Sequence, residues 1–171
     1  MTRKYLNDRW CVRCNRLGPT PYLKTHWKKL VPEDKDSCIV DIGCGNGRNA
    51  TFLKGQGYKN VKAFDMANDY GVKLVLGAEP FPIPDKSADV ILANYVFMFL
   101  DKKERSQAIR EIKRVAKPGC TIMVELYPAK DSHAKSEAAT AKLQKQLLKA
   151  LGWDALRFSK NRFIAKHSCG D

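Results

Sequence analysis

Residues 38–49 read Cys-Ile-Val-Asp-Ile-Gly-Cys-Gly-Asn-Gly-Arg-Asn, a short apolar run that ends in three alternate glycines. Ile39, Val40 and Ile42 have the branched, apolar character of a buried strand. Gly43, Gly45 and Gly47 then let the backbone turn tightly and approach a ligand closely. Asn46 and Asn49 favour helix entry, and Ala50 to Lys54 continue as the start of a helix. A strand, a glycine turn and a helix start make a nucleotide site at the carboxyl end of a parallel strand. The spacing selects among nucleotides. A dinucleotide fingerprint needs a glycine at 48, where this chain has Arg48.

Working outward, Val61–Phe64 predicts the next buried strand, ending at Asp65. That carboxylate is placed to accept from both hydroxyls of a ribose. Lys73–Leu76 predicts a third, edge strand. Residues 78–94, Ala-Glu-Pro-Phe-Pro-Ile-Pro-Asp-Lys-Ser-Ala-Asp-Val-Ile-Leu-Ala-Asn, combine a proline-stiffened loop with a fourth strand over Asp89–Asn94. Lys102–Ala116 predicts an amphipathic helix that ends at Lys117-Pro118-Gly119. Thr121–Tyr127 predicts a fifth strand and Ser136–Leu151 a further helix. Asp154–Phe158 and Arg162–Lys166 predict a closing antiparallel hairpin.

The run Val-Asp-Ile-Gly-Cys-Gly-Asn-Gly resembles the first motif of class I S-adenosylmethionine-dependent methyltransferases. Residues 78–94 and the phrase Arg-Val-Ala-Lys-Pro-Gly-Cys (114–120) are similar to two further stretches of the small-molecule-type members of that family. The resemblance covers residues 36–167. It implies an α/β, Rossmann-like, doubly wound, mostly parallel seven-stranded sheet, with a closing antiparallel hairpin and helices on both faces. It also implies S-adenosyl-L-methionine as cofactor and S-adenosyl-L-homocysteine as product. The cofactor-binding positions carried over are Asp41, Gly43, Gly45, Gly47, Asp65, Met66, Ala78, Glu79 and Asn94. Asp41 falls near the methionine end. One departure stands out: the family's adenine-binding Asp is Gly77 here, which leaves the Ala78 and Glu79 backbones, or the Glu79 side chain, to hold the adenine. No nucleophile–base arrangement is present, and Tyr95, Tyr127 and His133 are the polar candidates on the acceptor side. The base-flipping and nucleophile motifs of DNA methyltransferases are missing.

A length of 171 residues and an apolar content of 44% suit one domain with a sizeable core, not a disordered chain. The net charge of +13 is concentrated in residues 1–35 and 101–171, and the presumed cofactor half is nearly neutral. Residues 1–35 are expected to be a basic lid or substrate-side extension, with residues 36–171 as the methyltransferase domain. Tyr22–Leu30 predicts a helix there. Trp10, Tyr22 and Trp27 could stack bases, but docking of the segment on the domain is the favoured role.

No apolar run is long enough to span a bilayer, and the N-terminus is charged, so a cytoplasmic protein is expected. Cys11-Val-Arg-Cys14 is half of a zinc site without an evident second half, so no metal is expected. The sequence leaves the oligomeric state open. The function expected is methyl transfer to a small acceptor that could be anionic. The alternatives are an RNA methyltransferase that uses the basic flanks and a catalytically silent cofactor-binding module that docks a partner.

Overall fold

The computed structural model describes residues 18–66, 70–127 and 137–168. Seven strands form one sheet: β1 (Ile39–Ile42), β2 (Val61–Asp65), β3 (Val72–Lys73), β4 (Ala88–Asn94), β5 (Ala116–Glu125), β6 (Asp154–Ser159) and β7 (Arg162–Lys166). Their order is β3-β2-β1-β4-β5-β7-β6. The first five run parallel, and β7 lies antiparallel between β5 and β6. This is the expected Rossmann-like sheet with its closing hairpin.

Among the described residues, four α-helices cover it: α1 (Pro21–Leu30), α2 (Arg48–Gly55), α3 (Lys102–Val115) and α4 (Glu137–Leu151). Two apolar clusters mark the two faces. Val40, Ile42, Ile91 and Val124 pack with α3 residues Ala108, Ile112 and Val115 and with α4 residues Leu147 and Leu151. Ile39, Val90, Leu92 and Met123, the alternate positions on those strands, pack with Leu23 and Leu30 of α1 and with Ala50 and Leu53 of α2. The period-two alternation of a strand thus builds a three-layer sandwich.

α1 belongs to this core. Leu23 is fully buried, and the Trp27 ring meets Phe52 and Tyr58 edge-on. The Thr121 hydroxyl donates to the Leu30 carbonyl. The expected boundary at residue 36 therefore does not coincide with a packing boundary, because residues 20–31 form half of one helical layer.

Three local expectations are corrected. The third strand spans only Val72–Lys73 in place of 73–76. The amides of Ala78 and Glu79 both donate to the Val75 carbonyl, and the Glu79 carboxylate accepts from the Val75 amide, so a closed turn replaces the strand. The fifth strand starts at Ala116 and ends at Glu125. It absorbs Lys117-Pro118-Gly119 through a register shift against β4, a bulge that tolerates proline. Finally, neither Asn46 nor Asn49 caps α2. Gly47 does, in the left-handed region at φ +74°, with the Tyr70 ring directly against its Cα.

Candidate functional site

Alternation decides which polar side chains meet at the carboxyl ends of the central strands. Asp41, Asn94 and Glu125 all continue the series that faces α1 and α2, and all three are buried. Asp41 is 1% exposed. It accepts from the Ala50 amide in the first turn of α2, yet its Oδ2 has no hydrogen-bond partner. Burial, and then the nearby Asp65 charge, push its carboxyl up to about 7. An orphaned, buried carboxylate oxygen is costly unless a donor arrives, so this position fits a ligand group with N–H or O–H hydrogens.

Asp65 ends β2, and its Oδ2 accepts from the Gly45 amide at 2.8 Å. The glycine turn and the second strand end are therefore clamped to each other. Met66 follows at once and is half-buried. Gly43, Gly45 and Gly47 form the turn between these two acids, all three at positive φ. Cys44, inside the turn, is a neutral thiol, because burial and the two acids raise its pKa well above the usual range.

Ala78 and Glu79 stand differently. Their amides and one Glu79 carboxylate oxygen are engaged by Val75, so these groups are turned into the loop and not toward a base. Gly77 explains the departure from the family pattern. It sits at φ +81°, and a Cβ there would lie 2.5 Å from the Glu104 Cα. No aspartate can occupy that position while α3 packs as it does.

The acceptor side centres on a residue that sequence reasoning missed. Glu125, 1% exposed, accepts from the Thr20 hydroxyl at 2.5 Å, from the Asn94 amide at 2.5 Å and from the Tyr95 hydroxyl at 3.3 Å. Thr20 also donates its backbone N–H to Asn49, which ties the start of α1 to α2. The missed signal was a single carboxylate inside the apolar run Ile-Met-Val-Glu-Leu-Tyr.

Tyr95 adopts φ +60°, a left-handed conformation rare for a non-glycine residue and common at functional sites. Burial, followed by the Glu125 charge, pushes its hydroxyl up to about 12. It is a proton donor at neutral pH, not a base. Its ring stacks on Tyr127 at 5.2 Å, and Phe99 meets Tyr127 edge-on. The structure thus brings Tyr95 and Tyr127 together. The third candidate, His133, lies outside the described residues.

Among the described residues, no group of three or more His, Cys, Asp or Glu side chains is placed to hold a metal ion. Cys11 and Cys14 lie outside them. No helix among the described residues is long and apolar enough to cross a membrane.

Residues 40–124 match a family model described as a methyltransferase domain. Solved structures share the fold. A SAM dependent methyltransferase from Aquifex aeolicus is 18% identical with a TM-score of 0.64, over 95% of this chain and 94% of that one. The [4+2]-cyclase SpnF is 19% identical with a TM-score of 0.63, over 80% of this chain and 57% of that one. Geranyl diphosphate C-methyltransferase from Streptomyces coelicolor A3(2), in complex with Mg²⁺, geranyl diphosphate and S-adenosyl-L-homocysteine, is 13% identical with a TM-score of 0.60. That match spans 80% of this chain and 59% of that one. This chain therefore spans less than two thirds of two of these three relatives. The chain belongs to the class I S-adenosylmethionine-dependent methyltransferases, and S-adenosyl-L-methionine is its cofactor.

Proposed function

We propose that this methyltransferase delivers its methyl group to a small, negatively charged acceptor beside Asn94, Tyr95 and Glu125. S-adenosylmethionine supplies a sulfonium methyl, which reacts with a positioned lone pair without further activation and leaves S-adenosylhomocysteine. The residues of this chain then have to bind, orient and exclude water.

On this reading, Asp41 and Asp65 hold the donor across the glycine turn of Gly43, Gly45 and Gly47. The orphaned Asp41 oxygen is the observation that carries the placement, since a cationic or N–H-bearing group would complete it. Met66 and Asn94 border the same space. Ala78 and Glu79 contribute their place in the turn, with their amides turned to the Val75 carbonyl.

Tyr95 gives its one hydroxyl hydrogen to Glu125 and offers its oxygen to an O–H or N–H of the acceptor, and Glu125 fixes Tyr95 and Asn94 in register. The cover that α1 lays over this edge through Thr20 favours a small acceptor. So does a fold relative solved with geranyl diphosphate. The RNA alternative has only the basic flanks behind it.

The test is radiolabelled methyl transfer from S-adenosylmethionine to a small-metabolite extract and to total RNA, side by side. Label in the acidic small-molecule fraction is expected. Label at a defined RNA nucleotide overturns the reading.

A further inference from the structure

On the same face of the sheet as α1, the helix and the closing hairpin leave a groove of about 420 Å³ between them, within the range of small-ligand sites. Tyr22, Thr25 and His26 line it from α1. Arg157, Phe158 and Ser159 line it from β6, and Arg162 from β7. Among the described residues, neither arginine has a carboxylate within ion-pair distance, and no acid lines the groove. Both guanidiniums line the same groove without a bonded carboxylate, so an anion in it is attracted by two positive charges.

The site is built on fixed backbone. Gln144 of α4 donates to the carbonyls of both Ser159 and Arg162. The Asn161 side chain, in the hairpin turn, donates to the Leu126 carbonyl. Arg162 stacks on the Tyr22 ring at 4.8 Å, which holds its fork on the groove side. Phe158, 50% exposed, gives the groove an apolar wall beside the cations.

The groove adjoins the transfer centre. Arg162 lies opposite Glu125 in the register of the β5–β7 ladder, and its charge reaches the hydroxyls of both Tyr22 and Tyr95.

We propose that this groove anchors the acceptor through an anionic oxygen group, a phosphate or a carboxylate, held by Arg157 and Arg162. The flat or apolar body of the acceptor then lies against Tyr22 and Phe158. The inference rests on the charged small-acceptor reading and specifies which residues recognise the charge.

The test follows the arginine Nε–H signals of the full chain by NMR, without the donor, during titration with inorganic phosphate and separately with acetate. Saturable shifts at Arg157 and Arg162 are expected. The tighter of the two anions names the group. Arg157→Gln should weaken that binding by about tenfold, with the thermal midpoint and the S-adenosylhomocysteine affinity unchanged. Arg162→Lys, which keeps the charge but loses the fork, should also weaken it. Shifts that stay linear in anion concentration, or that are indifferent to both substitutions, overturn the proposal. So does an RNA fragment that displaces the anion from these arginines and accepts the label. Saturable anion binding with no label in small metabolites would sink the functional reading and leave the groove standing. Label in small metabolites without anion binding would sink the groove alone.

Discussion

Strands β1 and β2 carry Asp41 and Asp65 to one side of the site, whereas β6 and β7 carry Arg157 and Arg162 to the other. The acids sit inside a clamp of backbone amides, with the Gly45 amide on Asp65 and the Ala50 amide on Asp41. The arginines lie on a hairpin whose outer strand is exposed along its whole length. A buried charge is expensive, so the acidic side, with Asp41 buried and both acids bonded to backbone amides, tolerates little change. A hydrated charge costs little, so the basic side can vary without unsettling the core. A methyltransferase needs both: an invariant donor on one side and a distinctive acceptor on the other.

The comparison can be broken most strongly at Asp41. Its carboxyl is pushed up to about 7 against an ordinary value near 3.8. The folded chain therefore binds more protons than the unfolded one between those values, and stability falls as pH rises through that window. The loss is on the order of 4 kcal/mol. Asp41→Asn should flatten this slope in thermal melts from pH 4 to 8, and should weaken S-adenosylhomocysteine binding at the same time. A melt profile that keeps its slope in the variant would place the titration elsewhere.

Glu125 comes next. Glu125→Ala leaves the donors of Thr20, Asn94 and Tyr95 without their acceptor, at a cost of about 3 kcal/mol in denaturant unfolding. Glu125→Gln should recover part of that, since the amide oxygen still accepts.

Gly77→Asp, which restores the residue usual in the family, should destabilise by about 2 kcal/mol. It should bring no gain in donor affinity, as read by calorimetry. Tighter binding in this variant would mean that α3 can retreat from Gly77.

Asp65→Ala should weaken S-adenosylhomocysteine by about 1–2 kcal/mol, an effect the arginine variants should not share.

The smallest effect belongs to the basic side. Burial lowers the His26 pKa, and the charges of Arg157, Lys29 and Arg162 add to the effect. The imidazole is neutral near pH 7, its ring edge against Tyr22. Lowering the pH charges it, and acetate should then bind tighter by a factor of about three. Binding that weakens with falling pH would place His26 outside the anion's reach.

Much of the acidic side was legible in the sequence, because it is local. Strand, turn, glycines and Asp41 fall within twelve consecutive residues, and Asp65 closes the next strand. The two further family-like stretches were equally legible, and in the structure they contact each other. Arg114 bonds Asp85 and the carbonyls of Phe81 and Ile83, and Lys117 bonds both oxygens of Asp89. One motif braces the other, so neither reports on the acceptor.

What was not legible depends on distant partners. Glu125 reads as an oddity in an apolar strand until Thr20, 105 residues away, meets it. Asn49 reads as a helix cap until Thr20 claims its carbonyl oxygen. The apolar stripe of α1 was visible, but which sheet face it would complete was not. The third strand failed because side chain and backbone of a single residue, Glu79, close a turn that the apolar pattern cannot reveal.

The tie between α1 and β5 also sets an order of events during synthesis. Leu23 and Leu30 leave the ribosome about 100 residues before the strand whose Thr121 and Glu125 secure them. At ordinary elongation rates that is a wait of roughly 5–20 s. Throughout that interval the apolar stripe of α1 has an unfinished face to rest on, since β4 and β5 are still to be made. A nascent chain arrested before residue 116 should expose this helix to protease, and one released after residue 125 should not. The earliest helix on the described part of the chain is thus among the last to be locked.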